Sequence, residues 1–293
     1  MIQAFMLYIL VFLLSSTAGL VNMRIHNGIA VLEGSMVLGA AVGVCMLTVF
    51  SGTASWLTIL VSLAASSLAG IIVTMVSISK RKKEDSLMLG IGVSIAAIAV
   101  SVLISRLTSA LSAGTTLNYI PLPDLNPFLI RIGSFPFNLF LPIAMVILCL
   151  FWFPIGERFK MQLAALGDHE DAAISIGVPV RRIRFTASAF SGCLSGLAGL
   201  GLALIRSPWS LWLGTIGFGF LAIFAVFSSG GERKAVFLKS LILGTLYALG
   251  FSSEASGIRS VIGWREEVFQ CIPFFVCLIL LLIRRRPPES NKL

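Results

Sequence analysis

Residues 156–184, with the sequence GERFKMQLAALGDHEDAAISIGVPVRRIR, form a polar segment between two long apolar stretches. The segment carries nine charged side chains, whereas most of the remaining chain is compatible with a lipid bilayer. Its sequence predicts a loop, a short helix containing Ala172–Ala173, a stop at Gly177 and a basic return to the membrane over 181–184. We expect a membrane protein with one such segment to dock a soluble partner there.

The composition of the whole chain sets its class. Hydrophobic residues make up 57% of the chain and charged residues only 12%, with a mean hydropathy of +0.97. These values exclude a soluble globular domain. The apolar runs are too long and continuous for the alternating strands of an outer-membrane barrel. We therefore predict an all-α, polytopic transmembrane helical bundle that forms a single domain over 1–293.

Apolar runs of roughly 20 residues can cross a bilayer as helices, and the chain contains about nine of them, within a range of about eight to ten. The predicted spans lie near 4–21, 29–50, 55–79, 87–105, 138–155, 185–205, 211–229, 235–251 and 268–283. The polar stretches 22–39 and 252–267 leave open a re-entrant or broken helix at either place. The chain start lacks a basic region before Phe5, so we interpret the first run as a retained span.

Lys and Arg predict the orientation, because short cytoplasmic loops collect both. With 156–184 in the cytoplasm, 17 of the 22 basic residues lie on the inner side, including Lys239 at a helix end. The other five would face outward: Arg106, Arg131, Arg206, Arg259 and Arg265. This bias predicts an outside N-terminus and a cytoplasmic C-terminus. The net charge of +9 sits in short clusters beside the membrane, which favours contact with membrane lipid over nucleic-acid binding.

Motifs for catalysis and cofactor binding are absent from the sequence. It contains no phosphate-binding loop, no His-Glu-x-x-His and no Gly-x-Ser-x-Gly. The two histidines, His26 and His169, offer little for a catalytic centre. The five cysteines all fall in predicted spans without metal-ligand spacing: Cys45, Cys149, Cys193, Cys271 and Cys277. We expect no catalytic residues, no metal and no cofactor.

Glu33 is the one acidic residue clearly inside a predicted span. Proton relays usually need chains of acids or histidines, so a single acid gives little support for ion-coupled transport. A separate ATPase docked on the polar segment would supply energy instead. An ion-coupled secondary carrier and a non-transporting assembly protein remain as alternatives of a different class.

Two segments resemble the membrane permease subunits of bacterial ABC importers, a superfamily that includes branched-chain amino acid, ribose-type sugar and nucleoside permeases. Residues 27–40 are similar to the Asn-Ile-Gly-x-Glu-Gly-x-Met-x-x-Gly-Ala signature of its nucleoside and simple-sugar branch, which works with basic-membrane-lipoprotein receptors. Residues 165–196 are similar to the superfamily's coupling loop and following helix. The stretches 19–28 and 228–232 depart from the family pattern, which affects the choice of solute more than the fold.

The resemblance implies a multi-pass nucleoside or sugar importer of the bacterial inner membrane, with branched-chain amino acids or another small metabolite as the alternative solute. It implies three kinds of protein partner: a cytoplasmic ABC ATPase, a second identical or paralogous permease, and an extracytoplasmic solute-binding lipoprotein. The residues expected to couple to the ATPase are Gly167, Asp168, Glu170, Asp171, Ala172, Ala173 and Gly177. The candidates for the translocation path are Asn27, Glu33, Gly34, Phe218 and Phe220.

The residues themselves leave two questions open. Glu33 either lies beside the path in a discontinuous helix or is a carboxylate capped by backbone donors with no part in transport. The small-residue sets Gly34, Gly39, Ala40, Gly43 and Gly192, Gly196, Gly199 favour close helix packing.

Overall fold

The computed structural model of the chain describes residues 2–25, 28, 30–49, 55–77, 86–111, 129–132, 135–138, 157–168, 170–175, 177–205, 217–251 and 266–282. The helices are α1 (Ile2–Arg24), α2 (Val31–Val49), α3 (Ser55–Ser77), α4 (Ser86–Leu111), α5 (Glu157–Asp168), α6 (Glu170–Ser175), α7 (Val180–Ile205), α8 (Phe218–Ser228), α9 (Arg233–Phe251) and α10 (Glu266–Leu282). Two short strands, β1 (Leu129–Ile132) and β2 (Phe135–Asn138), lie between α4 and α5.

The helical bundle predicted from composition is confirmed. Four of the described helices, α1, α2, α4 and α7, are long and apolar enough to cross a membrane. Shorter apolar helical stretches lie within α3 and α8. The predicted span 138–155 falls outside the described residues except for Asn138, which belongs to a strand. The count of about nine spans and their orientation stay predictions.

The strands correct the all-helical prediction at one place. β1 and β2 form an antiparallel ribbon that pairs Leu129 with Asn138 and Ile132 with Phe135. Two residues, Gly133 and Ser134, separate the strands in the sequence. A Gly-Ser pair between two short runs with β-forming residues is a hairpin signal, and it is distinct from the long apolar runs that predict spans.

The centre of the bundle is a set of close contacts at glycines, most of them with backbone atoms, among α2, α3 and α7. A Cβ built on Gly39 would lie 2.6 Å from the Cα of Gly196, and one built on Gly43 would lie 2.6 Å from Leu200 Cδ1. Cβ atoms on Gly192, Gly196 and Gly199 would likewise meet the backbone of α3 or α2. We call these contacts the glycine seam. They confirm the packing interpretation of the small-residue sets.

Buried hydroxyls add hydrogen bonds across the same helices. Ser35 Oγ of α2 donates to Ser195 Oγ of α7 at 2.6 Å. Thr74 Oγ1 of α3 donates to the carbonyl oxygen of Ser188 at 3.0 Å. Ser191 Oγ donates to the carbonyl oxygen of Ala18 in α1, also at 3.0 Å. Such bonds between helices are a common means of holding a bundle together in an apolar solvent.

Helices α1, α8 and α9 form the other half of the described core. The rings of Tyr8 and Tyr247 lie 5.7 Å apart, and those of Phe12 and Phe218 lie 5.0 Å apart. Towards the other end of α1, a Cβ on Gly19 would lie 3.3 Å from Val226. Helix α8 therefore runs in the same direction as α1 and begins beside the middle of that helix.

One end of the bundle is basic. It is formed by the C-terminus of α1 and the N-termini of α7 and α9, and it carries Arg24, Arg182 and Arg233. We call it the basic end. Helix α8, which has 11 residues, runs from mid-bundle to this end over about 16 Å, so it spans only half of the thickness that α1 crosses.

Candidate coupling segment and the half-length helix

The polar segment is more helical than its sequence suggested. Residues 157–168, expected to be a loop, form α5, and Ala172–Ala173 lie in α6 as predicted. Helix α5 is amphipathic, because it buries Leu163 and Leu166 against Ile25 and leaves Met161 71% exposed. The apolar face of α5 thus attaches the segment to the basic end of the bundle.

Helix α6 ends at the predicted glycine stop. Gly177 has φ +85°, in the left-handed region that favours glycine. Its N–H donates to the carbonyl oxygen of Ile174 at 3.0 Å, and the N–H of Val178 donates to that of Ala173 at 3.0 Å. This pair of bonds is a Schellman motif, and Pro179 follows it. The chain therefore leaves α6 in one defined direction and enters α7 at Val180.

The two faces of α6 differ in exposure. Ala173 is 1% exposed, whereas the neighbouring Ile174 is 56% exposed. Gly167 lies in α5 against Arg24, since a Cβ built there would lie 3.0 Å from Arg24 Cδ. Asp168, Glu170, Asp171 and Ala172 lie in α5 or α6. Their side chains are outside the described part of the structure.

The basic return predicted over 181–184 lies within α7. Arg181 and Arg182 are exposed in its first turn, and Arg184 is partly buried in the next. The return to the bundle is therefore a helix that begins at Val180, five residues before the predicted span at 185. The apolar side chain Phe185, 60% exposed, follows the arginines directly.

Glu33 lies in the first turn of α2 and is fully buried. Its Oε1 accepts a hydrogen bond from the backbone N–H of Gly217 at 2.6 Å, and its Oε2 accepts one from the N–H of Phe220 at 3.2 Å. These donors lie at the N-terminus of α8, 184 and 187 residues further along the chain. The structure shows the carboxylate capped by backbone donors of a distant helix, and the place of Glu33 beside the path stays a prediction.

A close approach of the two helices makes this cap possible. A Cβ on Gly219 would lie 2.8 Å from the Cα of Glu33 and would overlap its carboxylate. Gly217, directly before α8, has φ +95°. Helix N-termini leave four N–H groups without partners inside the helix, and a buried carboxylate satisfies two of them here.

The remaining path candidates occupy different surroundings. Phe218 is 1% exposed and packs edge-on against Phe12 and Tyr247, so it is a core residue in this conformation, and its place on the path stays a prediction. Phe220 is 45% exposed. Gly34 faces α4, where a Cβ would lie 2.6 Å from the Cα of Ser94. Asn27 lies outside the described residues.

The C-terminal end of α8 holds two cations that sequence reasoning did not assign to it. Lys239 Nζ, on α9, donates to the carbonyl oxygen of Ser228, the last residue of α8. Arg24 Nη2 donates to the carbonyl oxygen of Gly231 at 3.2 Å, in the turn that follows. Cations favour the negative end of a helix. A lysine at a helix end was visible in the sequence, but its partner helix was not.

Residues 2–281 match the protein family described as branched-chain amino acid transport system / permease component. The match covers nearly all of the chain. The chain belongs to this permease family. Membership makes it a transport subunit of the membrane rather than an enzyme, in agreement with the sequence analysis.

Individual relatives of the permease are distant. It is 27% identical over 277 residues to the guanosine ABC transporter permease protein NupQ of Bacillus subtilis, covering 88% of this chain and 79% of NupQ. It is 24% identical over 291 residues to the uncharacterized protein MG121 of Mycoplasma genitalium, covering 96% of this chain and 89% of MG121. The similarity to NupQ supports the resemblance to the nucleoside and sugar branch.

A solved structure shares the fold of the permease. PsaBC from Streptococcus pneumoniae, solved in complex with Fab, superposes with a TM-score of 0.55 at 16% identity. The superposition covers 99% of this chain and 92% of that chain. The helical arrangement is therefore one that a solved structure also shows.

Proposed function

We propose that the permease is the transmembrane subunit of an ATP-driven importer that moves a small polar solute, a nucleoside or a sugar, across the inner membrane. The observation that carries this proposal is the family match over residues 2–281. The similarity to a guanosine permease supports the nucleoside class. The family's own description keeps branched-chain amino acids as the alternative solute.

The proposed assembly has three kinds of partner. A second permease, identical or paralogous, completes the translocation path, and an extracytoplasmic lipoprotein delivers the solute. One or two ABC ATPase subunits bind at the basic end, which we place in the cytoplasm because Lys and Arg collect on that side. The C-terminus is then cytoplasmic and the N-terminus outside.

The ATPase contact is proposed at α6 and the residues beside it. Helix α6 is short, ends at a fixed stop and presents Ile174 to the outside of the bundle. Its acidic first turn, Glu170 and Asp171, complements the positive end of the helix. The buried Ala173 faces the bundle, so the helix lies close to it. We expect Ile174 to insert into a groove of the ATPase, with α6 as the rigid element that carries this side chain.

In the mechanism that follows, ATP-driven closure of the two ATPase subunits pushes α6 and α5 towards the bundle. The permease pair changes between outward-facing and inward-facing states, and the two states differ in their contacts with the ATPase. The chain supplies the path and the contact surface. Hydrolysis takes place on the partner.

Reconstitution tests the proposal. The permease, its candidate ATPase and its lipoprotein are placed in proteoliposomes, and uptake of guanosine, ribose and leucine is measured with and without ATP. We expect ATP-dependent uptake of guanosine or ribose together with solute-stimulated ATP hydrolysis. Uptake driven by an ion gradient in the absence of the ATPase would replace this proposal with the secondary carrier, and ATP-dependent uptake of leucine alone would favour the alternative solute.

A further inference from the structure

We propose that α8 transmits the movement of α5 to the middle of the membrane, with Glu33 and Arg24 as the positioning residues at its two ends. This inference rests on the proposed function, because it assumes an ATPase that acts on α5 and α6. It assigns a role to the buried acid and to the arginine of α1 that neither the family match nor the named relatives supply.

The N-terminal end of α8 is held by a group that belongs to another helix. The carboxylate of Glu33 accepts the N–H groups of Gly217 and Phe220, and it is 0% exposed. Hydrogen bonds are electrostatically stronger in a low-dielectric interior than in water, and a buried carboxylate without its donors is costly. Displacement of α8 therefore either moves the start of α2 with it or breaks both bonds.

The other end of α8 is connected to α5 through Arg24. The guanidinium of Arg24 donates to the carbonyl oxygen of Gly231 at 3.2 Å. The same residue meets Gly167 of α5, where a Cβ would lie 3.2 Å from the carbonyl oxygen of Arg24. Arg24 is thus in contact with the segment proposed to receive the ATPase and bonded to the turn that ends α8.

The packing of α8 is compatible with a movement along its axis. Its inner face packs on α1 and α9 through aromatic rings. The ring centroids of Phe218 and Tyr247 lie 4.9 Å apart. On its outer face, Phe220 and Phe224 are 45% and 40% exposed. Apart from the close approach of Gly219 to Glu33, helix α8 lies outside the glycine seam of α2, α3 and α7, whose backbone contacts allow little sliding. A half-length helix with one exposed face is the described element best placed to shift.

The test uses the full complex of permease, ATPase and lipoprotein in proteoliposomes. We compare Glu33→Gln and Glu33→Ala with the matched control Gly92→Ala, since nothing lies within 4 Å of a Cβ on Gly92. Glutamine keeps one acceptor oxygen and nearly the same volume, whereas alanine keeps neither. We expect solute transported per ATP to fall by about tenfold in Glu33→Ala and by less in Glu33→Gln, with ATP hydrolysis retained.

A second measurement separates transmission from stability. In a background with the five native cysteines replaced by alanine, Phe220→Cys reports the accessibility of α8 to a thiol reagent. We expect its labelling rate to differ between the nucleotide-free and ATP-trapped complexes, and this difference to be lost when Glu33→Ala is added. Arg24→Gln, at the opposite end of α8, is expected to reduce the difference as well.

Two results would overturn the inference. In the first, Glu33→Gln and Glu33→Ala lower the thermal stability of the complex but keep the normal ratio of solute to ATP. In the second, Phe220→Cys labels at the same rate in both nucleotide states of the otherwise normal protein. Should Glu33→Ala fail to assemble, Glu33→Gln and Arg24→Gln give the same readout. Absence of any ATP-dependent uptake by the unmodified complex would instead contradict the proposed function.

Discussion

Gly219 and Glu33 lie so close that a Cβ on the glycine would be 2.8 Å from the Cα of the glutamate. This approach lets the carboxylate reach the backbone N–H groups at the start of α8. A single methyl group at position 219 is therefore enough to disturb the contact between α2 and α8.

Gly219→Ala is expected to destabilise the permease by about 1–3 kcal/mol, the usual cost of an extra group in a packed interior. The added Cβ overlaps the carboxylate of Glu33 and pushes α8 away from its cap. Thermal unfolding of the purified protein in detergent measures the change. Gly92→Ala serves as the control, and equal melting temperatures for the two variants would contradict the close approach.

The glycine seam predicts a second set of sensitive positions. A Cβ on Gly196 would overlap the carbonyl oxygen of Ser66, and one on Gly39 would meet the backbone of Gly196. Because backbone cannot move aside as a side chain can, Gly196→Ala and Gly39→Ala are each expected to cost about 1–3 kcal/mol or more. Size-exclusion profiles of detergent extracts should show loss of the folded peak relative to Gly92→Ala. Profiles like that of the control would mean that these helices lie further apart.

Gly177→Val is expected to uncouple ATP hydrolysis from transport while membrane insertion stays normal. The left-handed conformation, φ +85°, costs a non-glycine residue about 1–2 kcal/mol and is worse for a β-branched one. The end of α6 would change direction, so its contact with the ATPase would change too. Gly177→Asn, which tolerates this conformation, is the matched control. Normal coupling in the valine variant would count against α6 as the contact.

The orientation of the permease in the membrane is tested best at Ile174, because this side chain is 56% exposed whereas the neighbouring Ala173 is buried. In the cysteine-free background and in cells that express the permease without its ATPase, Ile174→Cys should react with a membrane-impermeant maleimide in inside-out vesicles and stay unreacted in intact cells. The reason is that α6 lies at the basic end, which the distribution of Lys and Arg places in the cytoplasm. Reaction in intact cells alone would reverse the orientation and remove the ATPase contact with it.

Long apolar runs predicted the principal helices well. The expected spans 55–79 and 235–251 correspond to α3 and α9 within two residues at each end. Continuous hydrophobicity is a strong local signal, because a bilayer-spanning helix must satisfy its backbone within itself. Helix α5 was missed since its amphipathic pattern is short and mixed with charges, as in Leu163 and Leu166 among polar neighbours.

Partners of individual residues were beyond the reach of the sequence. Glycine spacing predicted close packing of α2 and α7, but it does not tell which helices meet or at which level. Glu33 was recognised as unusual, whereas its donors lie 184 and 187 residues away and become visible only once α8 is placed beside α2. Phe218 was placed on the path by its aromatic ring, and the same ring serves equally well in a buried cluster with Phe12.

The glycine seam also bears on how related permeases can diverge. At Gly39, Gly196 and Gly199 every larger residue demands a compensating change in the backbone of a neighbouring helix, which a single mutation cannot provide. On the apolar outer surface of α3 and α4, which includes Leu68 and Ile95, the only requirement on a side chain is that it be hydrophobic. Drift among descendants should therefore be slow along the inner contact and fast on the outer surface, so that a lineage can adapt to a new lipid environment without rebuilding its centre.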